Sequence, residues 1–226
     1  MPSRSKKSKK TSPLEKHFGF FPLLTLIFIL WLLYRNLFQF PVWFDETVGK
    51  AVFFGLPVWV YIALAGSKSI ADTFAPHKLK SGLLLGLAFG GIFGFVASLV
   101  AVLQRGGVVG QVWLFSADLF WGEFILAMMT AFWETLLFFS FAMTVIQEKF
   151  TKWKPLQHAL LAATIFLIFH VPNTVIRFDL SAIAPQLALM FLFGLGQAYL
   201  FTSRRNAYTL ILSHTIWGMV LLTHFW

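Results

Sequence analysis

Glu134, His170 and His214 are the side chains of this chain placed to do chemistry. Each is a lone proton-handling group inside a long apolar run. An ionisable group at membrane depth is costly, and it is a functional candidate by default. The other polar residues of the apolar stretches are Asp118, Glu123, Gln197 and His224. Asp118, Glu123 and His224 fall near the outer boundary, where water reaches them. His17, His77 and His158 fall near cytoplasmic ends and are read as interfacial. A buried carboxylate beside an imidazole can share a proton with it, and such a pair is a competent general base for water. A second imidazole can donate to the oxyanion of a tetrahedral intermediate. The same three residues also match the Glu-plus-two-His ligand set of catalytic zinc. No H-E-x-x-H is present, so the usual helical zinc motif is absent. Composition does not separate the two chemistries.

The elements that must position these groups follow from composition. Of 226 residues, 58% are hydrophobic and 12% charged, with mean hydropathy +0.75. A soluble domain is nearer a quarter charged. The balance excludes an ordinary soluble domain, a disordered chain and a nucleic-acid-binding domain, although the net charge is +9. The cations sit in short clusters between apolar stretches, which is a membrane pattern. The absence of Cys excludes disulfides, thiolate metal sites and a Cys nucleophile.

The expected fold is all-α: a polytopic transmembrane bundle of about seven spans. They fall at residues 20–38, 51–66, 81–103, 123–147, 156–171, 183–202 and 207–225. With the N-terminus cytoplasmic, alternate loops collect fourteen of the eighteen Lys and Arg residues inside. Arg35, Lys50, Arg105 and Arg177 are left outside. Residues 1–13 read as a basic, disordered cytoplasmic head on anionic lipid, and 14–226 as one integral membrane domain. The 40 residues 108–147 are too long for one span, so an interfacial or re-entrant piece at 111–121 is expected, with a helix starting near Gly122. Gly86, Gly90, Gly91 and Gly94 give small-residue spacing for close helix packing on the third span.

At the three candidate residues the chain resembles the CPBP family: the CAAX prenyl endopeptidases and the bacteriocin-processing or immunity membrane proteins. That family reads E-E-x-x-x-R on one helix, F-x-x-x-H on the next and H-x-x-x-N on the last. This chain carries Glu134, then Phe166 with His170, then His214, in the same order over about 133–218. The resemblance implies a metal-free intramembrane endopeptidase that needs no cofactor, with zinc on Glu134, His170 and His214 as the alternative. Glu134 with His170 would activate water, and His214 would serve the oxyanion. Three positions depart: the second Glu is Thr135, the Arg is Phe139 and the Asn is Gly218. The first removes a carboxylate, the second a cation that positions one, and the third an oxyanion donor. Trp217 or Asn173 would be the substitute donor.

The expected function is therefore cleavage of a peptide bond near the membrane by a Glu–His activated water. Its partners would be membrane lipid and a peptide or protein substrate, with no nucleic acid, in the cell membrane. The alternative is a non-catalytic relative, an immunity-like or partner-binding membrane protein. A small transporter is the third reading, but no inverted repeat or broken helix supports it.

Overall fold

In lipid an apolar segment must close its backbone hydrogen bonds within itself, and a helix does so. The computed structural model describes residues 17–104, 117–177 and 180–224, and among them the regular structure is helical with no strand. Helix α1 is Phe20–Leu37. Its buried residues Phe20, Leu24, Ile27, Trp31 and Tyr34 recur at three- and four-residue spacing and make one inward face. Leu26, Ile29, Leu30 and Leu33 lie exposed on the other side, as expected of a face turned to lipid.

Helix α2 is Val42–Ala65, so it starts nine residues earlier than expected. Asp45, Glu46 and Lys50 look like loop charges, but they are neutralised inside the bundle. Its early part has the wider π-type turns, over Asp45–Gly49 and Ala51–Gly55. Gly66, at φ 62°, ends it in the left-handed conformation that glycine adopts without strain. Short helical turns lead to α3, Leu79–Gln104.

Helix α4 is Ala117–Glu134. It runs on through π-type turns over Thr135–Met143 into a last α-helical piece, Thr144–Lys149. The expected re-entrant piece is corrected here: residues 117–121 belong to α4 itself, and 111–116 lie outside the described residues. Helices α5 (Pro155–Arg177), α6 (Leu180–Arg204) and α7 (Ala207–His224) complete the bundle.

Among the described residues six helices are long and apolar enough to cross a membrane. The seventh expected span, α7, has 18 residues but is diluted by Tyr208, Ser213, His214 and Thr215. It lies along α3, where Gly82, Gly86, Gly90 and Gly94 open a groove. A Cβ at these glycines would meet Tyr208, Leu212, Ile216 and Val220 in turn. Gly91 meets nothing and does not take part. The chain is a multi-pass, all-α membrane protein.

The interior is aromatic. Phe138, Phe139, Phe141, Phe166 and Phe201 are fully or almost fully buried. Phe138 packs edge-on against Phe54, Phe166 and Phe169, which ties the π-type segment to α2 and α5.

Candidate active site

Glu134 stands where α4 changes from α-helical to π-type turns, and its side chain is 5% exposed. His170 lies two residues before Pro172 on α5. Proline cannot donate to the carbonyl four residues back, which loosens the ladder at this level. The Thr174 hydroxyl donates to the His170 carbonyl at 2.9 Å. His214 sits on α7 directly after Ser213, which is bonded to Gln197 of α6 at 2.9 Å. Gln197 is therefore a helix clamp beside His214.

These elements bring the three expected residues together. Glu134 Oε2 lies 3.3 Å from His170 Nε2 and 3.5 Å from His214 Nε2. It is buried and makes no hydrogen bond of good geometry. His170 Nδ1 donates to the Phe166 carbonyl at 2.7 Å, because a carbonyl can only accept. That bond puts a hydrogen on Nδ1 and aims Nε2 at Glu134. Phe166 also packs at a tilt against the ring, with centroids 4.1 Å apart. The His214 ring meets Phe193 edge-on at 4.9 Å, and its Nδ1 is buried without a partner. A carboxylate oxygen can only accept, so the Glu134–His170 contact calls for a proton or a proton donor between the two atoms.

The fourth side of the site was missed from the sequence. Lys50, read as an outer-loop cation, is buried on α2 and donates to Glu134 Oε1 at 2.6 Å. The same ammonium pairs with Glu46 one turn earlier. Glu46 Oε2 also accepts from the Thr130 hydroxyl at 2.8 Å. The signal was present as an i,i+4 Glu–Lys pair. It was hidden because three charges in six residues read as a loop. The approach of α2 to α4 depends on Gly55, whose Cβ would stand 2.5 Å from the Trp133 ring.

The remaining candidates divide. Thr135 is buried beside Glu134, with its hydroxyl unpartnered. Phe139 is wholly enclosed. A Cβ at Gly218 would meet only Ala127, at 3.7 Å. Asn173 accepts from Arg35 Nε at 3.2 Å, and Arg35 pairs with Asp45, so Asn173 is held in a separate cluster. Trp217 stacks on Phe193 at 4.6 Å. Glu123 lines a shallow groove with Trp43, Thr47 and Leu126. His77 is exposed, but His17 and His158, expected at the interface, are buried. His17 bridges Tyr61 and Glu148, and His158 donates to the Phe150 carbonyl at 2.8 Å. Their apolar surroundings force each imidazole to find a fixed partner. The side chains of Asp118 and His224 lie outside the described residues, as does the head at 1–13. Among the described residues no group of three or more His, Asp or Glu side chains has the arrangement of a metal site.

A buried carboxylate and two imidazoles thus meet from three separate helices of a polytopic membrane protein. Residues 116–220 match the family described as type II CAAX prenyl endopeptidase Rce1-like. Over this stretch, just under half of the chain, that bears out the resemblance to the CPBP family. The match contains Glu134, His170 and His214 but ends short of Glu46 and Lys50. No match to a curated protein or to a solved structure was found.

Proposed function

We propose that the chain is an intramembrane endopeptidase that cleaves a peptide bond near the membrane with a water activated by Glu134 and His170. The observation that carries this reading is Glu134 Oε2, buried and unpartnered between two imidazole nitrogens at 3.3 and 3.5 Å. A buried acceptor left without a hydrogen bond costs about 1–3 kcal/mol, so such an atom is kept for a transient partner. A water there would donate one proton to the Glu134–His170 pair as its oxygen adds to the scissile carbonyl carbon. His214 would donate a ring N–H to the oxyanion. Collapse of the tetrahedral intermediate breaks the C–N bond, and the proton held by the pair passes to the leaving amine. The products are a carboxylic acid and an amine.

The site operates without metal or other cofactor in this reading. Lys50 supports it, because an ammonium on Glu134 Oε1 competes with a dication for that carboxylate. Elemental analysis of the purified protein should find no stoichiometric metal. Zinc that is lost on His170→Ala would overturn the metal-free choice. The protein would work in the cell membrane on a lipid-adjacent peptide or protein, with its N-terminus cytoplasmic.

The test is Glu134→Gln in purified protein reconstituted in vesicles with membrane-adjacent peptides. The amide nearly preserves shape and removes the base, so hydrolysis should vanish while the folded state persists. Gly218 favours a second reading, a non-catalytic relative, since it leaves the last motif without its amide donor. In that case wild type shows no turnover and Glu134→Gln leaves the biological effect intact.

A further inference from the structure

Among the described residues, Lys50 is the most buried charged side chain outside the three motif residues. Its side chain is 5% exposed, and its ammonium bridges two carboxylates, Glu134 on α4 and Glu46 on its own helix. A buried ion pair only repays its desolvation when geometry and further hydrogen bonds are good. Here they are met at Glu46 and at one oxygen of Glu134. Glu46 has a second donor in Thr130, and Glu134 Oε1 receives Lys50 at 2.6 Å. The consequence for Glu134 is asymmetric. One oxygen is taken by the cation, and the other is left facing His170 and His214.

We infer that Glu46 and Lys50 form a positioning pair that supplies, from α2, the second carboxylate and the cation that this chain lacks at Thr135 and Phe139. Lys50 selects Oε2 of Glu134 as the reacting oxygen, and Glu46 with Thr130 holds Lys50 in place. Thr135 and Phe139 are free to be non-ionic because the charges they would carry arrive from another helix. Phe139 is fully enclosed by apolar neighbours, which leaves no room for a cation there. The geometric part stands on the contacts alone, and its catalytic consequence rests on the peptidase reading.

The experiment therefore reads the site in two ways, on the full chain in vesicles. Histidine NMR follows the ring signals of His170 and His214, with His17 and His158 as internal controls. In Lys50→Met the carboxylate of Glu134 loses its anchor. The ring proton and nitrogen shifts of His170 and His214 should change, while those of the two controls stay in place. Lys50→Arg should restore the wild-type signals. In the activity arm, Lys50→Met should lose about 10²-fold in kcat with KM little changed, the size expected of a misplaced catalytic group. Glu46→Gln should show the same pattern in weaker form.

Unchanged His170 and His214 ring signals in folded Lys50→Met would overturn the assignment. Equal movement of all four histidines would also overturn it, since that marks a general disturbance. If Lys50→Met does not fold, the double variant Lys50→Met with Glu134→Gln decides. Recovered folding is expected, because the stranded carboxylate is gone, and a double variant that still fails to fold would refute the pairing. An inactive wild type would sink the peptidase reading and leave the NMR arm able to judge the pair.

Discussion

Gly218 and Phe139 show why two departures from one family pattern have different consequences. A side chain at Gly218 starts in open space, with only the Ala127 Cβ at 3.7 Å. It also lies one helical turn from His214, on the same face of α7. Gly218→Asn should therefore fold and place an amide donor beside the oxyanion position. If turnover is limited by the missing donor, the rate of peptide hydrolysis should rise by up to about 10²–10³. A folded variant with no gain over an active wild type would show that the donor is already supplied elsewhere. Phe139→Arg should behave in the opposite way. Its guanidinium would enter a fully buried aromatic shell that touches Phe166. An unpaired buried charge costs about 3–5 kcal/mol, so loss of the folded form in a thermal-shift measurement is expected. At this scale the sequence was readable where a polar residue stood alone. Glu134, His170 and His214 each interrupt an apolar run, so their cost pointed to a purpose. Glu46 and Lys50 were not readable, because neighbouring charges of opposite sign look like solvent-exposed loop until a third partner across the bundle is known.

The same ion pairs explain the error in α2. Hydropathy placed its start at residue 51, yet the helix begins at Val42. Asp45 is met by Tyr34 and Arg35 of α1, and Glu46 by Lys50, so each charge is cancelled within the bundle. Cancelled charges can be helical at depth, and hydropathy does not see the cancellation. The expected packing role of the α3 glycines, by contrast, needed only their four-residue spacing, and the missed member, Gly82, extends it by one turn. What spacing could not show is Gly55 on α2, alone in its neighbourhood. Its Cβ would stand 2.5 Å from Trp133, the residue before Glu134. Gly55→Leu should therefore wedge α2 from α4 and cost about 1–3 kcal/mol, the usual penalty of overpacking. It should also weaken activity by withdrawing Lys50 from Glu134. Gly91→Leu is the control, because nothing lies within 4 Å of its Cβ. Equal thermal stability of the two variants would contradict the close approach of α2 and α4.

The whole molecule has two unlike ends, and that difference carries the orientation. At one end the connection after α2, the end of the α4 run and the α6–α7 turn meet. Lys78 donates to the Asp72 carboxylate at 2.7 Å and to the Arg205 carbonyl, and Asn206 donates to the Lys78 carbonyl at 2.9 Å. Lys149 donates to the His17 carbonyl there as well. These contacts gather the cations that alternate loops were expected to share. At the other end Arg35 is paired with Asp45, and Lys50, once counted there, is withdrawn into the bundle. Lys50 thus leaves the outer count, and the cation-rich end is expected to face the cytoplasm. The chain has no native cysteine, so single-cysteine labelling with a membrane-impermeant thiol reagent reads each position without background. Gln39→Cys, exposed after α1, should react in intact cells. Lys152→Cys, exposed in the turn before α5, should react only after permeabilisation. A cysteine appended after Trp226 should label like Gln39→Cys, because α7 must cross for His214 to reach Glu134 from a seventh span. Labelling of the appended cysteine together with Lys152→Cys would mean that α7 enters and returns or lies within the bundle. Labelling of Gln39→Cys and Lys152→Cys from the same side would break the alternation and turn the proposed site toward the wrong face for its substrate.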